Sequence, residues 1–254
     1  MDGGLRVPNA VHPDPAYLTV VFDCDSTLSD LEGIDALAAD HDMEVRALTD
    51  AAMRGDVALE EVYARRLEIV KPSAQRLEWL GRLYVGMVLP DARAVVRILR
   101  EADVLVRVVS GGLLPAILHV TRDLGIPDWD VFAVDVTFDE KGEYAGFDRE
   151  SPLARSGGKR DLIASWDDVP RPIMMVGDGT TDLETKPVVD RFVAFAGVVE
   201  RTAVVDHADV VLRDKSLAPV LTLALGLERP LTRDARYVYE RGHSMLARAV
   251  PPAD

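Results

Sequence analysis

A single cysteine, Cys24, occurs in the whole chain, so no internal disulfide can form. The histidines are few as well. His12, His41, His119, His207 and His243 are scattered, without the close spacing of a histidine metal site. Excess basic charge is absent: 29 Lys and Arg stand against 43 Asp and Glu, a formal net charge of −14. That balance leaves no basic footprint for nucleic acid or an anionic membrane as main partner, and any anion site has to be locally positive. No apolar run is long enough to span a bilayer. The opening stretch, M-D-G-G-L-R-V-P-N-A-V-H-P-D-P, has no basic segment followed by an apolar one, so a cytoplasmic location is the expectation. Its proline and glycine suit neither helix nor strand, and residues 1–16 are expected to be a flexible arm.

What is present is ordinary for a globular protein: 254 residues, 48% apolar and 28% charged. This suffices for one large domain, or for a core with a small insert. Residues 17–22 (Y-L-T-V-V-F) read as a short buried strand. Residues 31–89 change character. They are rich in Ala, Leu, Glu and Arg, with helical faces at Ile34, Leu37 and Ala38 and at Val62, Leu67, Ile69 and Val70, punctuated by Pro72 and Pro90. From Asp91, near a helix start, strand and helix alternate: a helix over 91–102, a strand at 104–109, a helix at 113–124 with Pro115 in its first turn. A strand-like run at 131–138 leads into a hairpin through D-E-K-G. A helix over 159–166 and strands at 172–176, 191–196 and 208–212 follow. The pattern predicts an α/β fold, a doubly wound, mainly parallel sheet with a small helical insert. Residues 17–30 and 90–220 form the core, 31–89 the insert and 221–254 a C-terminal helical extension. Ligands in such sheets sit at the carboxyl ends of the strands.

Four short segments fall at such places: D-C-D-S-T (23–27), S-G-G (110–112), Lys159 and G-D-G-T-T-D (177–182). A lone DxD, a lone S-G-G or a single lysine is weak by itself; their joint order is specific. That order resembles the haloacid dehalogenase superfamily of aspartate-based phosphatases, and within it the phosphoserine phosphatase family. E-G-I-D-A-L-A (32–38), A-M-R-G (52–55), R-R-L-E-I-V-K-P-S (65–73), G-E-Y-A-G-F-D (142–148) and S-G-G-K (156–159) extend the likeness over roughly residues 17–212. The core is then expected to be Rossmann-like, with the insert as a cap.

Phosphate monoesters resist attack because their charge repels nucleophiles, so a catalyst has to neutralise that charge and aim a nucleophile. Asp23 suits the nucleophile, giving an aspartyl-phosphate that divides one hard step into two. Asp25 suits the acid that protonates the leaving alkoxide and the base that then activates water. The resemblance implies Mg²⁺ held by the Asp23 carboxylate, the Asp25 backbone carbonyl and Asp178, with Asp182 in support. Ser110, Lys159 and the backbone of Gly111 and Gly112 would hold the phosphoryl oxygens, with Thr27 and Thr181 as further phosphate and substrate contacts. By the same resemblance Glu32 would pair with a substrate ammonium, Arg66 with its carboxylate, and Met53 would pack beside them. Cys24 reads as a small residue in a tight place, since no histidine lies near in sequence to activate it.

The expected activity is hydrolysis of O-phosphoserine to serine and phosphate, the last step of serine synthesis. Its rivals are a phosphatase acting on phosphoethanolamine or phosphohomoserine, a phosphotransferase with an alcohol acceptor, and a non-catalytic phosphate sensor. The sequence departs from the family's pattern at Leu59 and at Leu113, Leu114 and Pro115, where aromatic or basic residues are usual. The expected partner is a small phosphomonoester, with monomer and homodimer both left open.

Overall fold

The computed structural model describes residues 17–39, 48, 59–226 and 231–249. The expected N-terminal arm, the A-M-R-G segment and Met53 lie outside the described residues.

The sheet is built around strand β1 (Thr19–Phe22), in which every residue is buried. It pairs in parallel with β2 (Leu105–Leu113) through Val20↔Val106 and with β6 (Ile173–Gly177) through Val20↔Met174. With β3 (Val131–Val134), β7 (Arg191–Phe195) and β8 (Val210–Leu212), the order is β3-β2-β1-β6-β7-β8, parallel throughout. Successive side chains divide between two apolar clusters. Val20 and Phe22 join Val106, Val108, Met174 and Val176 on one face. Val21 joins Val109, Ile173, Met175 and Phe192 on the other. Burial on both faces is why these strands read as continuous apolar runs. The chain leaves β1 for β2 on one side and reaches β6 on the other, which opens a crevice at the carboxyl end of β1.

The helices cover these faces. After α1 (Gly33–Leu37) and α2 (Leu59–Val70), α3 (Ala74–Gly86) begins where the Ser73 hydroxyl accepts a hydrogen bond from the Arg76 N–H at 3.3 Å. Its buried face, Leu77, Leu80, Gly81 and Tyr84, packs on α5 (Leu114–Asp123). A side chain at Gly81 would put a Cβ 2.4 Å from the His119 ring, so glycine is what lets these helices meet. Burying leucines such as Leu77 and Leu80 stabilises the contact by about 1.5–3 kcal/mol each. In α4 (Ala92–Glu101), Val95, Val96, Ile98 and Leu99 are buried while Arg93, Arg97 and Arg100 face solvent. After the short α8 (Thr202–Val205), α9 (Ala218–Leu225) is buried along its whole length, between α4 and α10 (Arg233–Ala249). This helix runs across the 220/221 division drawn from the sequence. Among the described residues no helix is long and apolar enough to cross a membrane.

Three local expectations are corrected. Residues 131–138 are two strands: β3 belongs to the main sheet, while β4 (Val136–Phe138) pairs antiparallel with β5 (Tyr144–Phe147). The break is Asp135, whose carboxylate accepts a hydrogen bond from the Val136 N–H at 2.8 Å and whose carbonyl accepts one from Asp148 at 3.0 Å. Ser110-Gly111-Gly112 does not turn away after a strand but continues β2 to Leu113, with its pairing to β3 irregular between Val109 and Leu113. The helix carrying Lys159, α6 (Gly158–Ala164), ends two residues short of the expected 166.

Candidate active site

Asp23 is the first residue beyond β1, held by its N–H to the Val176 carbonyl at 2.9 Å. Asp178 follows β6, and Asp182 lies on the short helix α7 (Thr180–Leu183). Gly177 makes the approach feasible, because a Cβ there would lie 2.3 Å from Asp182 Cγ. Oxygens of Asp23, Asp178 and Asp182 all lie within 4.8 Å of one another, and all three residues are buried. Lys159 reaches them from α6: its Nζ lies 2.8 Å from Asp23 Oδ1 and 2.6 Å from Asp182 Oδ1. These carboxylates raise the Lys159 pKa despite its burial.

A cavity of about 600 Å³ opens over this cluster. Asp23, Asp25, Glu32, Arg66, Ser110, Gly111, Lys159, Asp178 and Thr181, all marked in the sequence, line it. Asp182 sits just behind, donating nothing to the wall but accepting from Lys159 and from the Gly179 N–H at 2.9 Å. Gly112 is buried behind Gly111, its N–H donating to Ser110 Oγ at 3.0 Å. Thr27 is placed differently. It is fully buried and absent from the cavity wall, with Oγ1 3.5 Å from Asp178 Oδ1, because the turn after Asp25 folds it beneath the cluster. Cys24 is buried, and desolvation, then Asp25 and Asp23, push its thiol up, which leaves it un-ionised.

The charges do not balance among the described residues. Of the cations on the wall, Arg66 pairs with Asp35 and Arg155 with Asp161, away from the cluster. Lys159 and Arg201 are left to face Asp23, Asp178 and Asp182, with Glu32 alongside. Burial, then Asp23 and Asp182, push Asp178 up to about 8. Burial and Asp23 push Asp182 up to about 6, against the pull of Lys159. Hard oxygen donors with too little positive charge suit a divalent cation. Asp25 is raised well above the ordinary carboxylate range, by burial first and then by Glu32 and Asp23. The Tyr84 hydroxyl and the Gly33 N–H (3.3 Å) both donate to its Oδ1 and pull the other way.

Glu32 accepts from Ser26 Oγ at 2.7 Å. Arg65 and Arg66 separate cleanly: Arg65 is exposed and paired with Glu61 one helical turn away, while Arg66 lines the cavity. Among the described residues two buried side-chain polar atoms lack a hydrogen-bond partner, Arg66 Nε and Asp23 Oδ1, and the second has its ion pair with Lys159.

The haloacid dehalogenase-like hydrolase profile matches residues 17–185, the span that supplies nearly all of this wall. The chain belongs to the haloacid dehalogenase-like hydrolases. Within them it stands with the phosphoserine phosphatases. That of Bos taurus is 39% identical over 199 residues, 77% of this chain and 88% of the relative. The chloroplastic phosphoserine phosphatase of Arabidopsis thaliana is 37% identical over 75% of this chain and 66% of its own length. The phosphoserine phosphohydrolase-like protein of Francisella tularensis shares the fold, with a TM-score of 0.66 at 23% identity over 77% of this chain and 95% of that one. This hydrolase is a phosphomonoesterase, and its family generally uses a divalent metal, for which the buried acidic triad is the candidate site.

Sequence reasoning missed three residues of this hydrolase's site. Arg201 lies beyond the matched span, yet its Nε is 3.1 Å from Asp178 Oδ2 and its Nη2 3.2 Å from Glu32 Oε1. Tyr63 lines the cavity and donates to the Gly111 carbonyl at 2.9 Å. Tyr84 bonds Asp25 from α3. None of the three sits in a motif; two are aromatic residues at ordinary helical positions.

Proposed function

We propose that this chain hydrolyses O-phospho-L-serine to L-serine and phosphate. The observation that carries the reading is one cavity lined together by Asp23, Asp25, Ser110 and Lys159 and by Glu32 and Arg66. An Asp23 oxygen attacks phosphorus while the bond from phosphorus to the serine oxygen breaks, and Asp25 gives its proton to that oxygen. Water then attacks phosphorus in the aspartyl-phosphate, Asp25 takes a proton from it, and phosphate leaves with Asp23 regenerated. Lys159, Ser110 and the Gly111 backbone hold the phosphoryl oxygens as charge shifts among them.

Asp23, Asp178 and Asp182, with the Asp25 backbone carbonyl, would hold Mg²⁺, which when bound supplies the positive charge that draws carboxylate and phosphate together. Glu32 takes the substrate ammonium and Arg66 its carboxylate through a guanidinium that has a free buried Nε. Arg201 lies between Asp178 and Glu32 and pairs with both. The reading includes residues 31–89 as a cap on a core of 17–30 and 90–220, and the cytoplasm as its place of action.

The test is phosphate release from L-phosphoserine, D-phosphoserine, phosphohomoserine and phosphoethanolamine, with alcohol acceptors added in a second series. Preference for L-phosphoserine with water as acceptor supports the assignment. A peak elsewhere, or transfer to the alcohol, replaces it with one of the rival activities.

A further inference from the structure

The chain crosses between the sheet and the helices at 33–86 twice, and the two crossings are zipped together. The Asp30 N–H donates to the Met87 carbonyl at 2.9 Å, the Leu89 N–H donates to the Leu28 carbonyl at 3.0 Å, and Ser29 Oγ donates to the Tyr84 carbonyl at 3.1 Å. The first crossing starts at Asp25 and the second at Tyr84, so their register sets how the Tyr84 hydroxyl meets the Asp25 carboxyl.

Residues near the C-terminal end grip this zipped pair from outside the cavity. Lys215 pairs with Asp30. The Leu217 N–H donates to the Pro90 carbonyl at 3.2 Å. Ser216 Oγ donates to Asp91 Oδ2 at 2.5 Å, and Arg241 Nη1, from α10, to Asp91 Oδ1 at 2.8 Å. None of these residues lines the cavity, and Lys215, Ser216, Leu217 and Arg241 lie past the span matched by the family profile, while Asp30, Pro90 and Asp91 lie within it. Asp91 precedes α4 with φ +68, a left-handed conformation uncommon outside glycine. Its carboxylate makes no capping bond to α4, the ordinary use of an aspartate there. Ser216 and Arg241 take its two oxygens instead. A residue in so sparsely populated a conformation persists where its surroundings over-determine it.

We propose that Asp91 and Arg241, with Ser216 and Lys215, form a positioning clamp by which the C-terminal helix fixes the two crossings and thereby seats Tyr84 on Asp25. The inference rests on the assignment of Asp25 as acid and base. Arg241 touches no reacting atom; it acts through the crossings.

The experiment compares the full chain with Arg241→Ala, Arg241→Lys, Asp91→Ala and the Asp91→Ala/Arg241→Ala double variant. It reads kcat and KM for L-phosphoserine with Mg²⁺, thermal stability, and amide hydrogen exchange at Asp30 and Leu89. Arg241→Ala is expected to lower kcat by about five-fold or more, with KM within about two-fold, and to speed exchange at both amides. Arg241→Lys is expected to restore most of the kcat, and the Arg241→Ala loss is expected to vanish in the Asp91→Ala background. A folded Arg241→Ala with a lowered melting temperature but wild-type kcat and wild-type exchange would overturn the clamp. So would an equal loss in the Asp91→Ala background. If the wild type itself fails on phosphoserine, the functional reading falls, and exchange still decides the clamp: faster exchange at Asp30 and Leu89 supports it and unchanged exchange refutes it.

Discussion

The Tyr84 hydroxyl donates to Asp25 Oδ1 across 59 positions of sequence, and the Gly33 N–H reaches the same oxygen at 3.3 Å. One oxygen of Asp25 is thus fixed by two donors, and the other lies toward Gly112, where a Cβ on that glycine would be 3.5 Å from it. Burial and the neighbouring carboxylates keep the Tyr84 phenol protonated, so it stays a donor. Tyr84→Phe is expected to reduce kcat by about ten-fold, the order of a hydrogen bond to an ionisable partner, while KM changes little. Steady-state kinetics on L-phosphoserine provide the check; an unchanged kcat would show that Asp25 needs no such support.

Stability should depend on pH in a direction set by the acidic cluster. Asp178 is raised from 3.8 to about 8 and Asp182 from 3.8 to about 6. In the metal-free fold these groups keep protons that the unfolded chain releases, so stability falls as pH rises from the ordinary carboxylate range toward 8. The melting temperature in chelator is expected to decline from pH 5 to pH 8, and Mg²⁺ is expected to raise it most at the upper end. A chelated protein that gains stability over that interval would contradict the charge imbalance.

Lys159 is the buried cation between Asp23 and Asp182. Lys159→Met leaves both carboxylates without their partner. Removing one member of a buried ion pair costs about 3–5 kcal/mol. Urea unfolding in chelator should show a loss of that order, with phosphate release falling by about a thousand-fold through loss of the phosphoryl contact.

Gly177→Ala tests the packing that brings Asp182 to the cluster. The new Cβ would sit 2.3 Å from Asp182 Cγ, so the carboxylate has to move. Divalent-cation affinity, measured by calorimetry, is expected to weaken at least about ten-fold, in keeping with the loss of a well-placed supporting group at a metal site. An unaltered affinity would remove Asp182 from the metal's surroundings.

Much of this was legible because strands buried on both faces announce themselves. Thr19–Phe22 and Ile173–Gly177 are short apolar runs, each ending on an aspartate or a G-D-G, so both the strand and the cluster aspartate after it could be read together. Asp25, Ser110 and Lys159, which line the cavity, are marked in the same way, through segments of fixed chemistry at strand ends and helix starts. Arg201, Tyr63 and Tyr84 could not be, because each reaches the site by tertiary packing. Their local sequence is that of any solvated arginine or any half-buried helical tyrosine. The strand break at Asp135 was hidden for a related reason: V-F-A-V-D-V-T-F alternates well enough for one strand, and the break goes with hydrogen bonds from the Val136 and Asp148 amides to the aspartate's carboxylate and carbonyl. The C-terminal residues looked like an appendage, yet α9 is as buried as β1.

The most direct measurement is phosphate release from L-phosphoserine and phosphoethanolamine by the wild type and Arg66→Ala, each with Mg²⁺ and with chelator. Arg66 lines the cavity with a buried Nε that has no hydrogen-bond partner among the described residues, and only phosphoserine offers it a carboxylate. The expected result is Mg²⁺-dependent release that favours phosphoserine, with Arg66→Ala cutting phosphoserine kcat/KM by about a hundred-fold and leaving phosphoethanolamine nearly unchanged. Equal losses on both substrates, or wild-type turnover that favours phosphoethanolamine, would contradict the assignment of this cavity to phosphoserine.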